Sequence, residues 1–319
     1  MVDKYGRNIN YVRISLTDKC NLRCIYCMPS DIEFEKNYIN DVLSLNDYKF
    51  IIKGMSELGI NKVRFTGGEP LLYPNLVDLI RYTYEECRID DIGITTNGIR
   101  LHEMAYELYQ NGLKSVNISM DSLKEYKYKS ITRGGDLKDV LKSIHKCLSL
   151  GIKVKINCVV IKGFNDDELL DFMLMTKFYP IDVRFIELMP LGEASKVYKK
   201  GYFNIGQMID SIDELYKVSS NKKSAAQYYK YDGAKGRVGV ITPMSCSFCS
   251  ECNRIRVTAN GNIKLCLHSK EEIDIKYYLN KPLIFREIMK KMILEKPEKH
   301  YLNENRFSDT NRRMYQIGG

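Results

Sequence analysis

The segment that decides the fold begins with the apolar run Y-V-R-I-S-L-T (residues 11–17) and continues into C-N-L-R-C-I-Y-C (residues 20–27). The run is typical of a buried strand, and three cysteines spaced C-x3-C-x2-C follow it. Thiolates bind zinc or iron–sulfur clusters, but three of them leave one coordination position without a protein ligand. Structural sites are closed by four ligands, whereas reactive sites keep a position open. The segment therefore predicts a reactive metal centre at the end of a strand.

Strand-like runs alternate with helical patterns along the first 190 residues, which is typical of a parallel sheet. The predicted strands cover residues 11–17, 62–67, 92–98, 115–121, 153–161 and 183–188, and the predicted helices cover about 45–58, 75–87, 101–111, 136–149 and 166–178. The fold class is α/β, either a partial (β/α)6 barrel or an open doubly wound sheet. Both architectures place their sites at the carboxyl ends of the strands. The sequences at those ends are T-G-G-E-P (66–70), T-T-N-G (95–98) and S-M-D (119–121).

The pattern changes after residue 190. A helix is predicted at about 203–216 and another at about 281–294. Two β-like runs lie between them, G-R-V-G-V-I-T (236–242) and R-I-R-V-T-A-N-G-N-I-K-L-C-L (254–267). We therefore divide the chain into a barrel domain, residues 1–190, and a C-terminal extension, residues 191–319, packed across the barrel mouth.

Composition narrows the class of protein. No run approaches the roughly 18 apolar residues of a membrane helix, and no secretory signal precedes residue 11. We expect a cytoplasmic protein that does not bind a membrane, in which the ten cysteines do not form structural disulfides. The net charge of +9 would suit a nucleic-acid-binding protein. However, no run of five Lys or Arg residues and no aromatic–basic binding motif is present, so nucleic acid is not an expected partner.

A second cysteine group, C-S-F-C-S-E-C (residues 246–252), is followed by Cys266. Four thiols are available there, and two arrangements remain open. In one, Cys249, Cys252 and Cys266 are the ligands and Cys246 is spare. In the other, Cys246 is a fourth ligand, which would remove the open position. The other cysteines lie in apolar contexts and are expected in the core, namely Cys87, Cys147 and Cys158.

Several cations interrupt the apolar strands. Lys62 and Arg64 alternate on one face of a strand, as do Arg254 and Arg256 further along the chain. Arg13, Lys155 and Arg184 also lie within strand-like runs. A buried cation without a counter-charge is costly, so cations along a barrel interior predict a polyanionic ligand. The alternative is that they face solvent or pair with the few acidic strand residues, such as Glu187.

These motifs resemble known families. The three-cysteine loop with an aromatic residue before its last cysteine, together with G-G-E-P after the second strand, resembles the signature of the radical S-adenosylmethionine (SAM) superfamily. Almost the whole chain resembles the GTP 3′,8-cyclases of molybdenum cofactor biosynthesis. The resemblance rests on Y-V-R-I-S-L-T-D-K-C (11–20), V-R-F-T-G-G-E-P-L (63–71), R-F-I-E-L-M (184–189), C-N-R-I-R (252–256) and Y-Q-I-G-G (315–319).

The resemblance implies a partial TIM-like radical SAM barrel with a C-terminal α+β extension, and a set of site residues. Cys20, Cys24 and Cys27 would hold a 4Fe–4S cluster that binds SAM, and Cys249, Cys252 and Cys266 a second cluster that binds the guanine of the substrate, which makes Cys246 spare. SAM would contact Tyr26, Gly68, Ser119 and Met189. GTP would contact Arg13, Arg64, Thr95, Lys155, Arg254 and Arg256, with Lys62 and Arg184 as further triphosphate contacts. Gly318 and Gly319 would enter the active site, although from the residues alone they read as a frayed end.

The implied activity is conversion of GTP to (8S)-3′,8-cyclo-7,8-dihydroguanosine 5′-triphosphate, the first step of molybdenum cofactor biosynthesis. An electron from the first cluster splits SAM, and the radical formed takes hydrogen from the ribose 3′ carbon, which then attacks carbon 8 of guanine. No catalytic side chain is assigned beyond the clusters and SAM. The implied partners are an electron donor protein, a cyclic pyranopterin monophosphate synthase and a second copy of the chain. Two alternatives are a peptide-modifying radical SAM enzyme with an auxiliary cluster and a zinc-stabilised nucleic-acid-binding protein.

Overall fold

The structure, a computed structural model, describes residues 1–32, 42–218, 224–245, 248–302 and 307–318. Cys246 and Gly319 lie outside these residues, so both arrangements proposed for Cys246 stay open. No helix within the described ranges is long and apolar enough to cross a membrane.

One sheet organises the described part of the chain. Its strands pair in the order β12-β11-β10-β1-β2-β3-β4-β5-β6-β9-β8-β7, and the eight from β10 to β9 run parallel. Their bounds are β1 Tyr11–Ser15, β2 Lys62–Thr66, β3 Asp91–Thr96, β4 Ser115–Ser119, β5 Lys153–Val160, β6 Ile181–Glu187, β7 Tyr216–Val218, β8 Gln227–Lys230, β9 Arg237–Ile241, β10 Arg254–Val257, β11 Asn262–Lys264 and β12 Ile273–Asp274. The six predicted strands of the barrel are confirmed.

Helices connect the parallel strands and cover one face of the sheet. Their bounds are α1 Leu45–Glu57, α2 Leu76–Glu85, α3 Leu101–Gln110, α4 Glu125–Thr132, α5 Leu137–Ser149, α6 Leu169–Phe178, α7 Ala194–Gly201, α8 Ile205–Asp210, α9 Pro282–Leu294 and α10 Met314–Ile317. Helix α1 begins where its sequence predicts, because Ser44 and Asp47 form a reciprocal capping box. The five predicted barrel helices are confirmed, and α4 was not predicted.

The two faces of the sheet differ in polarity. Val12 and Ile14 of β1 are fully buried against the apolar core. Arg13 lies on the opposite face and is in register with Arg64 of β2 and Arg256 of β10. Because side chains alternate along a strand, one face carries the helices and the other forms a polar barrel interior.

The C-terminal region contributes to the barrel wall as well as to its mouth. Strand β10 pairs in parallel with β1, and β9 pairs in parallel with β6, so this region adds a strand to each edge of the six-stranded barrel. The helix predicted at about 203–216 is present but much shorter than predicted. The chain forms α7 and the short α8, which ends at Asp210, and it is extended by residue 216.

Candidate active site

A cavity of about 1210 Å³ lies on the polar side of the sheet. Its lining contains both described cysteine groups and every described residue that the resemblance assigned to SAM or GTP, except the tail. The lining thus includes Cys20, Cys24, Cys27, Cys249, Cys252, Cys266, Tyr26, Gly68, Ser119, Met189, Arg13, Arg64, Thr95, Lys155, Arg254, Arg256, Lys62 and Arg184. Ligand cavities commonly measure about 300–1,000 Å³, so this cavity is larger than an ordinary site for one small ligand.

The first cysteine loop rests on α4. The backbone N–H groups of Arg23 and Ile25 donate to the carbonyls of Thr132 and Ile131, at 3.1 and 3.0 Å. The guanidinium of Arg133, just after α4, donates to the carbonyl of Met28 at 3.0 Å. The helix that the sequence did not predict therefore fixes the loop that carries the thiols. Its polar, short sequence left no amphipathic signal long enough to identify it.

The glycines of T-G-G-E-P allow two loops to touch. The N–H of Gly68 donates to the carbonyl of Thr17 at 2.6 Å, and that of Glu69 donates to Lys19 at 2.8 Å. A Cβ atom at Gly68 would lie 2.3 Å from the Lys19 carbonyl oxygen, and Gly67 has φ of +142°. These positions require glycine because the second loop packs directly against the segment before Cys20.

Glu69 ties three strand ends together. Its buried carboxylate accepts from the hydroxyl of Thr96 at 2.7 Å and from the backbone N–H of Asn97 at 2.8 Å. Burial raises the pKa of Glu69 to about 7, and these hydrogen bonds limit the rise. The amide of Asn97 then approaches the sulfur of Cys20 at 3.8 Å. Glu69 and Asn97 both follow strand ends, but only the structure shows that Glu69 holds the backbone of Asn97 in place.

Asp121 positions the aromatic residue of the cysteine loop. Its carboxylate accepts from the Tyr26 hydroxyl at 2.6 Å and from the N–H of Val159 at 2.8 Å. Burial raises the pKa of Asp121 to about 6, whereas the hydrogen bond from Tyr26 lowers it. The S-M-D sequence marked the position, but only the structure shows that it fixes Tyr26.

The first three thiols fit a cluster better than a single ion. Burial, followed by repulsion from neighbouring acidic groups, raises the pKa of Cys20 to about 11 and that of Cys27 to about 12. Gathering such thiols is unfavourable unless a cationic group binds them as thiolates. Within the described ranges, no three His, Cys, Asp or Glu side chains are arranged to hold one metal ion. A 4Fe–4S cluster binds each thiolate at a different iron, so three thiolates leave its fourth iron without a protein ligand.

The second cysteine group lies beside three cations, the buried Arg7 and Lys296 and the half-buried Arg254. Burial would raise the pKa of Cys252, but Lys296 and Arg254 outweigh it and lower that pKa. Arg7 forms an ion pair with Asp3 at 2.6 Å and donates to the carbonyl of Cys249 at 2.9 Å. Neither Arg7 nor Lys296 was singled out from the sequence, because their partners are far away along the chain.

The strand cations are only partly neutralised. Lys62 forms an ion pair with Asp91 at 2.6 Å, so the alternative of acidic pairing holds for this residue. Glu187, in contrast, accepts from Tyr202 and Ser245 rather than from a strand cation.

Arg64 is buried and Lys155 is half-buried, and neither forms an ion pair with a carboxylate of the described residues. Arg64 donates to the hydroxyls of Tyr11 and Ser115, both at 3.1 Å, and to the carbonyl of Ile94 at 2.8 Å. Burial, with repulsion from Arg184 and Arg64, lowers the pKa of Lys155 to about 8. The interior therefore carries positive charge that a polyanion would stabilise.

Arg184 and Arg254 add to this charge. The Nε and Nη2 atoms of Arg184 and the Nε atom of Arg254 make no hydrogen bond within the described residues. The Arg254 guanidinium lies 5.1 Å from the ring of Phe248, next to the second cysteine group. Thr95 accepts from Arg13 and from Asn117, both at 3.4 Å, and so links β1 to β4 across the interior.

Gly93 makes room for Arg64. The two residues are in register on neighbouring strands, and a Cβ atom at Gly93 would lie 2.6 Å from Nη2 of Arg64. We expect Gly93→Ala to displace this guanidinium and to raise the dissociation constant of GTP about tenfold, or ~1.4 kcal/mol. Isothermal titration calorimetry checks this, with Gly206→Ala as the control, because a Cβ there makes only an ordinary contact. Wild-type affinity in Gly93→Ala would show that Arg64 does not hold the ligand.

The C-terminal tail returns to the barrel. Tyr315 and Ile317 are buried, and Nη1 of Arg256 donates to the carbonyl of Ile317 at 2.8 Å and to that of Gly318. Gly318 has φ of +70° and packs against Thr66.

Two further contacts fix the tail. The preceding segment is held by an ion pair between Arg312 and Glu272 at 2.6 Å. The backbone N–H of Tyr315 donates to the sulfur of Cys27. The tail is therefore packed between the first cysteine loop and the strand cations.

Two family models and several named proteins match this sequence. Residues 14–175 match the model of the radical SAM superfamily, and residues 181–302 match a model described as Molybdenum Cofactor Synthesis C. Proteins named GTP 3′,8-cyclase from Clostridium botulinum (strain Langeland) and Clostridium acetobutylicum are each 49% identical to this chain, over all of both chains. The chain belongs to the GTP 3′,8-cyclase family. Family membership identifies the protein as an enzyme and confirms the resemblance inferred from its motifs.

Solved structures support the radical SAM fold. Native anSMEcpe with bound AdoMet aligns with a TM-score of 0.54 and 13% identity, covering 97% of this chain and 93% of that one. At this identity the likeness concerns the fold alone. The fold class predicted from the sequence is thereby confirmed, including its assignment as a partial barrel.

Proposed function

We propose that the protein converts GTP to (8S)-3′,8-cyclo-7,8-dihydroguanosine 5′-triphosphate, as the first step of molybdenum cofactor biosynthesis. One observation carries the proposal, namely that two three-cysteine groups and a set of incompletely neutralised strand cations line the same cavity. The 49% sequence identity, over the full length of both chains, to a protein named GTP 3′,8-cyclase supports it. A peptide-modifying reaction has only the shared fold in its favour, and it would leave the strand cations unexplained.

Two groups of residues would hold the cofactors. Cys20, Cys24 and Cys27 would ligate the first 4Fe–4S cluster, and Cys249, Cys252 and Cys266 the second. Tyr26, Gly68, Ser119 and Met189 would surround SAM, with Asp121 orienting Tyr26. When bound, the clusters and SAM supply the electron and the hydrogen-abstracting radical that the reaction requires.

The strand residues would bind the substrate at both ends. The cations Arg13, Arg64, Lys155, Arg184 and Arg256 would hold the triphosphate, with Lys62 and Thr95 beside them, because arginine and lysine suit phosphate oxygens. Arg254 lies between these cations and the second cysteine group, so it would contact GTP near the guanine end. The buried tail would exclude water from the reacting carbons.

The reaction itself gives the direct test. The protein, reconstituted with iron and sulfide without oxygen, should consume GTP and SAM when a reductant is added. Mass spectrometry should detect the cyclised triphosphate together with 5′-deoxyadenosine. SAM cleavage that is independent of GTP, with no cyclised product, would contradict the proposal.

Loss of strand cations is expected to weaken GTP binding without removing iron. Arg64→Ala, Arg13→Ala and Lys155→Ala should each cost roughly 1.5–3 kcal/mol, the value of a charge-assisted hydrogen bond. Calorimetric titration of GTP measures the loss. Lys153→Ala is the matched control, because Lys153 lies on the same strand but is exposed. Wild-type affinity in all three variants would mean that these residues are structural.

The proposal extends to location and partners. The nine described cysteines are free, which suits a reducing cytoplasm. An electron donor protein would reduce the first cluster, and a cyclic pyranopterin monophosphate synthase would take the product. We also propose that two copies of the chain associate. The boundary at residue 190 between the barrel domain and the C-terminal extension is likewise part of the proposal.

A further inference from the structure

Tyr11 lies at the centre of the strand cations, and nothing above assigns it a role in catalysis or binding. It is the first residue of β1, in register with Lys62 of β2 and Arg254 of β10. Its side chain is buried, and its hydroxyl accepts a hydrogen bond from Nε of Arg64 at 3.1 Å. The Lys62 ammonium and the Arg254 guanidinium lie 5.3 and 5.8 Å from the centre of its ring.

The charged groups around Tyr11 are predominantly positive. From β1, β2, β6 and β10 it is faced by Arg13, Lys62, Arg64, Arg184, Arg254 and Arg256. Asp91 of β3 is the nearby carboxylate, and it already pairs with Lys62. Burial alone would raise the pKa of Tyr11, but Arg64, Arg13, Arg254 and Lys62 outweigh it and lower that pKa to about 7.

A second tyrosine in the cavity, Tyr228, shows that the direction of the pKa shift depends on the charges beside each hydroxyl. Tyr228 lies beside Arg184 and Arg237, yet burial keeps its pKa raised. Arg237 is paired with Asp182 at 2.6 Å, so its charge is already compensated. Tyr11 instead contacts Arg64, whose hydrogen-bond partners are all uncharged groups or Tyr11 itself.

We propose that Tyr11 is the resident counter-ion of the phosphate site, a negatively charged phenolate that pairs with Arg64 until the triphosphate of GTP replaces it. The inference rests on the proposed function, because it takes GTP as the ligand. When the polyanion binds, repulsion makes a second anion beside it unfavourable. The phenolate therefore takes up one proton from the buffer and remains as a neutral phenol. The O–H bond is the only bond formed, and no electron is transferred.

Proton uptake on GTP binding tests the proposal. Titration calorimetry of the cluster-loaded enzyme in two buffers of different ionisation enthalpy gives the number of protons taken up per GTP. With a pKa of about 7, about three quarters of Tyr11 is ionised at pH 7.5 and about a tenth at pH 6.0. We expect Tyr11→Phe to take up about three quarters of a proton less per GTP than wild type at pH 7.5. The difference should nearly vanish at pH 6.0.

Matched variants separate proton uptake by Tyr11 from structural damage to the cavity. Tyr228→Phe should take up as many protons as wild type at pH 7.5, because burial keeps the pKa of Tyr228 raised. Iron content measured for each variant checks that it folds, and Tyr11→Leu replaces Tyr11→Phe if that variant loses iron. If both lose iron, proton uptake by the wild type is compared at the two pH values, and equal uptake at pH 7.5 and pH 6.0 would overturn the role of Tyr11.

The outcomes distinguish the inference from the proposed function. Wild-type proton uptake in Tyr11→Phe, or no uptake by the wild type at pH 7.5, would overturn the role of Tyr11 while GTP binding stands. Failure of the wild type to bind GTP would instead overturn the proposed function.

Discussion

Replacing Cys24 by alanine is expected to remove about half of the iron from the reconstituted protein and to abolish formation of the cyclised product. Two 4Fe–4S clusters correspond to about eight irons, so the loss of one leaves about four. Cys24 is half-buried in the first loop, where a cluster held by the two remaining thiolates would lose a corner. Iron and sulfide analysis after anaerobic reconstitution measures the loss.

Cys249→Ala tests the second cluster in the same way. It should also lose about half of the iron, but reduction of the first cluster should still cleave SAM slowly, because that site is intact. Cys147→Ala is the matched control, since this buried cysteine lies on α5 among core residues. Stoichiometric zinc without iron uptake in the wild type would contradict the cluster assignment for both groups and favour the zinc alternative.

Much of the fold could be predicted because its signals are local. The buried parallel strands read as short apolar runs, and Ser44 marked the start of α1 by its own hydrogen bonds. The placement of β9 and β10 at opposite edges of the barrel could not be predicted in the same way. Their pairing with β6 and β1 depends on contacts between residues more than 50 positions apart. The sequence of neither strand identifies the strand with which it pairs.

The same difference between local and long-range signals separates the site residues that were predicted from those that were missed. Residues that carry a chemical signature, such as the cysteines and the alternating cations, were found from the sequence, and the structure gathers them around one cavity. Residues that position them were missed because their role depends on a distant partner. Asp121 contacts Tyr26 from 95 positions away, and Arg7 contacts Cys249 from 242 positions away. Gly93 was missed for a related reason, since its function is to leave space for Arg64.

The buried tail should be needed for turnover but not for holding the clusters. Deleting Gly318 and Gly319 is expected to lower formation of the cyclised product at least about tenfold, equivalent to ~1.4 kcal/mol of transition-state stabilisation. The deletion moves the terminal carboxylate to Ile317, whose carbonyl already accepts from Arg256 at 2.8 Å. A carboxylate there would compete with the triphosphate for that guanidinium. Product formation measured by mass spectrometry, with iron content and SAM binding unchanged, checks the expectation.

Gly318→Ala separates the shape of the tail from its terminal charge. The Cβ atom would lie 2.2 Å from Cγ2 of Thr66, at a backbone φ of +70° that disfavours alanine. This variant keeps the full length of the chain, so a fall in product formation would come from displacement of the tail rather than from a relocated carboxylate. A short free peptide ending in Gly-Gly should partly restore the truncated enzyme, because the tail then acts as a separable ligand. Wild-type rates in both variants would reduce the tail to an ordinary chain end that happens to be buried.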